Sequence, residues 1–270
     1  MKCADLHVHT NFSDGTMSPP EVVAEALRQN VDAVAVTDHD TVLGLDSSFE
    51  EGGRKGIEII AGIELTAEYE GIEIHLLGYL LDHRNQALVR RLQELKQNRV
   101  ERIYKIIDKL EGIGVHLAPQ AVFELAQNGT VGRLHVARAM VKAKIVGSVP
   151  EAFQKYIGDT CPGYVCGFRL SPAEAIALIR SAGGVAVLAH PYTLRRDDLI
   201  PYFVELGLQG LEAYYPEHAQ AVVNFYLGLA KKYKLLVTGG SDFHGSAKPD
   251  VKLGAVRLPY ELVERLKERK

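Results

Sequence analysis

Six histidines and three carboxylates stand where one pocket could collect them: His7, His9, Asp14, His39, Glu64, His75, His190, Asp242 and His244. His7 and His9 are two apart, so in an extended segment both leave on one face while Leu6 and Val8 leave on the other. Buried together without partners, such groups would cost several kcal/mol each. They must pair with one another or surround metal ions. A lone histidine such as His75, inside an apolar run, is ordinarily a satisfied core residue; the whole set falling at strand ends points to metal. Imidazole plus carboxylate without cysteine suits zinc, manganese or iron, whereas magnesium and calcium prefer oxygen-only sites. The set exceeds what one ion needs, so two or three divalent ions bridged by a carboxylate and a water are expected. Such clusters activate water and clamp an in-line displacement at phosphorus. Competing chemistries lack their motifs, with no G-x-S-x-G elbow, P-loop or G-x-G-x-x-G fingerprint in the chain.

These residues need a scaffold that brings distant segments together. Short runs rich in Val, Ile and Leu alternate with amphipathic helical patterns, which predicts βα units and a parallel sheet. Strands are expected at Ala4–Val8, Ala33–Thr37, Glu58–Ile63, Ile72–Gly78, Val185–Ala189, Gly210–Ala213 and Leu235–Gly239. In a closed barrel their C-terminal ends share one face, where active sites are built. Ser18-Pro-Pro-Glu21 and Ser171-Pro-Ala-Glu174 read as capping boxes. Pro216 and Pro259 are expected to open two more helices. The alternation breaks between 84 and 164. A long charged helix pattern there carries the stripe Leu88, Leu92, Leu95, Val100, Ile103, Ile106, Ile107 and Leu110, and shorter helical segments follow. The expected organisation is a barrel domain from 1–83 and 165–270 with a small helical insertion domain at 84–164.

Composition sets the outer bounds. The chain has 270 residues, 24% charged and 47% hydrophobic, as an ordinary globular protein has. A net charge of −3 excludes a strongly basic protein made for long nucleic acid. Three cysteines without a C-x-x-C pair fit a reducing compartment. The opening segment lacks a signal-peptide pattern and no run of about 18 apolar residues occurs, so a cytoplasmic protein without membrane contact is expected. No obligate protein partner is evident.

Asp5-Leu-His-Val-His9, Asp14-Gly, Thr37-Asp-His39-Asp-Thr, Gly62-Ile-Glu64, Glu73-Ile-His75, Ala189-His190-Pro and Gly240-Ser-Asp242-Phe-His244, in this order over nearly the whole chain, resemble the PHP (polymerase and histidinol phosphatase) family of metal-dependent phosphoesterases. The resemblance implies an α/β fold, a distorted seven-stranded βα barrel with a trinuclear site. It implies one ion on His7, His9, Glu64 and Asp242, a second on Glu64, His75 and His190, and a third on Asp14, His39 and His244. Asp14 stands where relatives have histidine, a departure that favours a harder metal, so manganese is expected first.

Gly132-Arg133-Leu-His135 resembles a Gly-Arg-Pro-His stretch of the branch containing 3′,5′-nucleoside bisphosphate phosphatases and enzymes that trim short RNA from the 5′ end. Arg133 is expected to clamp phosphate, and His135 to grip it or protonate the leaving oxygen. Arg195 or Arg196 is expected to replace an arginine that this branch often carries after the histidine of Ala189-His190-Pro191. Tyr214 is a candidate to stack a base, as is Tyr215. Asp5, Asp38 and Glu212 are candidates to hold the far nitrogen of a ligand histidine. The basic residues of the long helix, Arg99 and Arg102 among them, read as a solvated face. The expected reaction is hydrolysis of a phosphate monoester of a nucleotide by a metal-bridging hydroxide. A nucleoside 3′,5′-bisphosphate comes first as substrate and the end of short single-stranded RNA second. A small-metabolite phosphatase of the histidinol-phosphatase type is the nearer alternative, and a non-catalytic metal-binding module the remoter one.

Overall fold

The computed structural model describes residues 2–126, 129–166 and 170–269. Eight strands form one sheet: β1 (Cys3–Val8), β2 (Ala33–Val36), β3 (Glu58–Tyr69), β4 (Ile72–Tyr79), β5 (Val185–Leu188), β6 (Gly210–Tyr214), β7 (Leu236–Gly239) and β8 (Leu258–Pro259). Their order is β7-β6-β5-β4-β3-β2-β1-β8. The chain leaving β7 folds back on β1, with a parallel bridge between Val8 and Phe243 and a 2.9 Å hydrogen bond from His9 N–H to Phe243 C=O. The sheet is thereby a nearly closed barrel. Gly240 makes the closure possible, because a Cβ there would lie 2.4 Å from the backbone nitrogen of His7.

The all-parallel expectation fails at one hairpin. β3 runs on past Ile63 to Tyr69 and β4 returns antiparallel, in register from Gly62↔Tyr79 to Tyr69↔Ile72. The link is Glu70-Gly71, both at positive φ (52° and 77°), as a type I′ turn requires. Two residues can join only antiparallel strands. β4 also pairs antiparallel with β5, and the eighth strand, absent from the sequence reading, pairs antiparallel with β1. Its Pro259 donates no N–H, which an edge strand tolerates.

Alternation along the strands separates two apolar clusters. Val34, Val36, Leu76, Ala186 and Leu188 join the large cluster that also includes Val22 and Val23 of α1 (Pro19–Arg28) and Leu45 of α2 (Leu45–Lys55). Ala35, Ile60, Leu77, Tyr79 and Val187 join another. By the same period of two, His75 shares the face of Leu77 and Tyr79, Glu64 shares that of Ile60, and Glu212 lies opposite Leu211 and Ala213. The prospective ligands therefore project from the face that the large cluster leaves.

Ser18 and Ser171 each receive the glutamate three residues on, with Ser18 N–H to Glu21 at 2.7 Å and Ser171 N–H to Glu174 at 2.8 Å. Pro259 stands directly before the helix Tyr260–Glu268, while Pro216 lies ahead of the helix that starts only at Gln220. α3 (Gln86–Gly112) begins at Asn85, whose side chain accepts from Ala87 N–H and Leu88 N–H. Leu88, Leu92 and Leu95 pack into the large cluster. Ile103, Ile106 and Leu110 pack into a separate one with residues of α4 (Pro119–Ala126) and α5 (Arg133–Lys142). Among the described residues no helix is long and apolar enough to cross a membrane.

Tyr79 is fully buried and its hydroxyl donates to Leu6 C=O at 2.8 Å, tying β4 to β1. Tyr79→Phe is expected to cost about 1 kcal/mol and to lower the melting temperature by about 2–4 °C in a thermal unfolding scan. An unchanged melting temperature would show that the tie contributes nothing.

Candidate metal centre

Glu64, 1% exposed, is the hub of the site. Its Oε2 lies 3.2 Å from His7 Nε2, 3.1 Å from His9 Nε2 and 3.4 Å from His39 Nδ1. Its Oε1 lies 2.9 Å from His75 Nδ1 and 3.2 Å from His190 Nε2. Asp242 Oδ1 faces His7, His9 and His244 at 3.6, 3.3 and 3.4 Å. Asp14 Oδ1 is 3.1 Å from His244 Nε2. All the ligand candidates read from the sequence therefore meet in one place. Glu64 and His75 reach it from within β3 and β4 instead of from strand ends, because the hairpin extends past the site and β4 runs backward.

Three donor groups have ligand atoms mutually within 4.8 Å: His9, Asp14, His39 and His244; His7, His9 and Asp242; His39, Glu64 and His75. The geometry suits cations for a further reason. Asp14 Oδ1 and His39 Nδ1 are buried and make no hydrogen bond. Burial pushes His39 down to about 3 and outweighs the nearby carboxylates, so that ring is neutral and offers a lone pair. His7 Nε2 and His9 Nε2 sit 3.1 Å apart facing the same carboxylate. Burial opposes a charge on His9 and His75, yet Asp242 and Glu64 hold His9 up at about 9, and Glu64 and Glu73 hold His75 up at about 10. The same carboxylates that raise these imidazoles would be balanced by cations bound among them.

The surrounding carboxylates divide the remaining work. His7 Nδ1–H donates to Glu212 Oε1 at 2.9 Å, and Glu212 Oε2 accepts His190 N–H at 2.7 Å. Asp38 holds no ring; it accepts Thr10 N–H at 2.7 Å and the Thr10 and Ser13 hydroxyls at 2.6 Å, fixing the loop that carries Asp14. Asp5 likewise binds Ser241 N–H and Gly254 N–H, both at 2.8 Å, and so anchors the segment before Asp242. Backbone strain gathers here too, since Asp40, His190 and Asp242 have φ of 50°, 24° and 55°.

A cleft of about 870 Å³ opens above the cluster. Arg99, Arg102, Arg133 and Lys248 reach its wall. Several substrate residues expected from the sequence lie elsewhere. His135 is fully buried behind the wall, where its Nδ1 accepts Gly132 N–H at 3.1 Å. Burial pushes it down to about 4, so it has neither the access nor the proton that a general acid needs. Arg195 and Arg196 stay outside the cleft lining; Arg196 pairs with Asp198 at 2.9 Å and Glu70 at 3.6 Å. Tyr214 packs with apolar residues, and its neighbour Tyr215 faces the cleft and donates to Asp242 Oδ2 at 2.9 Å. Arg133 does line the cleft, with its guanidinium engaged by Glu73 and Asp159.

Arg99 was missed. It pairs with Asp40 and donates to Thr66 Oγ1 at 2.8 Å. Its position extends the spacing of Leu88, Leu92 and Leu95 by four, which puts a charge on the buried stripe of α3; that interruption is the signal that finds it. Lys248, whose Nζ is 2.6 Å from Asp242 Oδ2, follows the last ligand by four residues in an irregular segment and gives no such signal.

A nearly closed barrel whose interior gathers imidazoles and carboxylates at the floor of a cleft, with Arg99, Arg102, Arg133 and Lys248 in its wall, defines a metal-dependent hydrolase of phosphate esters. The chain belongs to the PHP domain family, whose pattern matches residues 5–155. It is 34% identical over 245 residues to a 5′-3′ exoribonuclease of Haemophilus influenzae, covering 89% of both chains. It is 31% identical to a phosphoribosyl 1,2-cyclic phosphate 1,2-diphosphodiesterase of Eggerthella lenta, over 89% of this chain and 94% of that one. It is also 31% identical to a 3′,5′-nucleoside bisphosphate phosphatase of Chromobacterium violaceum, over 89% and 86%. The crystal structure of a protein from Bifidobacterium adolescentis named as a metal-dependent phosphoesterase superposes with a TM-score of 0.92 at 30% identity, over 98% of this chain and 96% of that one.

Because His9 and His75 hold protons at pH 7 without metal, metal uptake must release them. Affinity is therefore expected to rise with pH until those groups titrate, near pH 9–10. Calorimetric titration of metal-free protein with Mn²⁺ in buffers of different ionisation enthalpy measures the release. A heat independent of buffer would contradict it.

Proposed function

We propose that this protein hydrolyses a phosphate monoester of a nucleotide, the 3′-phosphate of a nucleoside 3′,5′-bisphosphate, and second the phosphodiester bonds at the 5′ end of short RNA. The observation that carries the reading is the cleft. Its floor is the imidazole–carboxylate cluster, its walls hold Arg99, Arg102, Arg133 and Lys248, and Val149, Pro150, Phe153 and Val251 supply apolar surface within reach of a base. A volume of about 870 Å³ suits a drug-sized or nucleotide-sized ligand. The names of the relatives from Haemophilus influenzae and Chromobacterium violaceum support the two substrates in question.

In this reading His7, His9, Glu64 and Asp242 hold one divalent ion, Glu64, His75 and His190 a second, and Asp14, His39 and His244 a third, with manganese the expected metal. Divalent ions held there would supply Lewis-acid charge to the phosphoryl oxygens and lower the pKa of water. The protein's own part is positioning and charge. Arg102 and Lys248 are cations of the cleft lining, and cations fixed there pre-organise the field that a phosphoryl transition state needs. Arg133 lines the same wall, its charge balanced by Glu73 and Asp159.

The test is phosphate release from adenosine 3′,5′-bisphosphate by metal-stripped protein with Mn²⁺ added back. Fast, metal-dependent release of one phosphate is expected, abolished in His190→Ala. Arg102→Ala is expected to raise KM about tenfold or more, the cost of one charge-assisted contact. Turnover confined to 5′-phosphorylated RNA would select the second substrate. Turnover confined to histidinol phosphate would overturn the nucleotide reading and keep the metal chemistry.

A further inference from the structure

Glu73 lies two residues before His75 on β4, so both side chains leave the strand on one face. One of its oxygens is 3.0 Å from His75 Nε2, while His75 Nδ1 points into the cluster, 2.9 Å from Glu64. Its other oxygen accepts from Arg133 Nη2 at 3.0 Å. Arg133 opens α5, and its guanidinium is clasped from behind by Asp159 and lies over the rings of Phe153 and Tyr164 at 5.8 and 5.5 Å. A continuous contact chain thus runs from the helical segment through Arg133 and Glu73 to a ring of the metal cluster. Glu73 also borders both the main cleft and a smaller pocket of about 190 Å³ behind His75 and His190. Bordering two open spaces, the carboxylate is engaged on one oxygen by His75 and on the other by Arg133.

We propose that Glu73 is a positioning residue through which the helical segment sets the metal centre, and that Arg133 acts on His75 by way of it. The proposal rests on the reading of the cluster as a metal centre. An Nε2 proton donated to Glu73 leaves Nδ1 as the ligand atom, so Glu73 fixes both the tautomer and the orientation of the ring. Arg133 neutralises Glu73 and stops it from turning to solvent. Arg133 touches no candidate metal ligand itself, yet removing it loosens metal.

The experiment compares wild type, Glu73→Gln, Glu73→Ala, Arg133→Ala and the double alanine variant. Each is loaded with Mn²⁺, dialysed against graded chelator, and its bound metal counted by plasma emission. Circular dichroism and melting of the metal-free proteins select the variants that keep the fold; Glu73→Gln preserves volume and serves if the alanine variant does not. Glu73→Ala and Arg133→Ala are each expected to lose part of their Mn²⁺ at roughly tenfold lower chelator than wild type, the scale of a lost outer partner. The double variant should lose no more than the weaker single one, because both act through the same contact. Wild-type retention in Arg133→Ala, or additive losses in the double variant, would overturn the relay. A wild-type protein that takes up no Mn²⁺ would instead overturn the metal reading itself, and neither outcome depends on which phosphoester is the substrate.

Discussion

One buried carboxylate serving five imidazoles is the constraint on which the rest of the molecule depends. Glu64 cannot be placed among His7, His9, His39, His75 and His190 unless β1, β2, β3, β4 and the end of β5 converge to within a few ångströms. Such convergence requires a curved, nearly closed sheet, and closure in turn requires Gly240, whose missing side chain lets the end of β7 lie against His7. The cluster also sets the electrostatics. Glu64 and Asp242 are buried and Asp14 mostly so, and the charge of these three inward carboxylates must be met by protons, by Lys248 or by cations.

A second tier of carboxylates makes the cluster rigid, and it works on backbone more than on side chains. Asp5, Asp38 and Asp40 spend their hydrogen bonds on main-chain N–H groups, hydroxyls or Arg99, and each pins a segment that carries a ligand. These loops hold unfavourable backbone angles at Asp40, His190 and Asp242. Conformations of that kind persist only where surrounding contacts over-determine them. Asp5 supplies that determination beside Asp242, Glu212 at His190, and the contacts of Asp40 with Thr66 N–H and Arg99 at Asp40 itself.

The candidate donors stood out in the sequence because imidazoles and carboxylates are few in type and recur at or within recognisable apolar runs. Strand direction was less legible. Glu70-Gly71 is a hairpin turn in plain view, yet apolar runs of β3 and β4 buried on both faces look the same whether they pair parallel or antiparallel. The cations of the cleft wall were less legible: Arg99 breaks the apolar stripe of α3, yet in sequence it reads as part of a solvated basic face. Tyr214 and Tyr215 show the limit. Adjacent residues at the end of a strand point in opposite directions, and an irregularity in pairing between Glu212 and Tyr214 decides which one meets the cleft. His135 has the type and neighbourhood of a catalytic group, and only its burial shows that it braces a helix end.

α3 spans 27 residues with no glycine or proline before its last position, which makes it about 40 Å long. Its first half is embedded in one core and its second half in the other, and Arg99 and Arg102 sit at the crossing. One helix thus couples the two cores, so a change that loosens the packing of either is felt at the wall of the cleft between them.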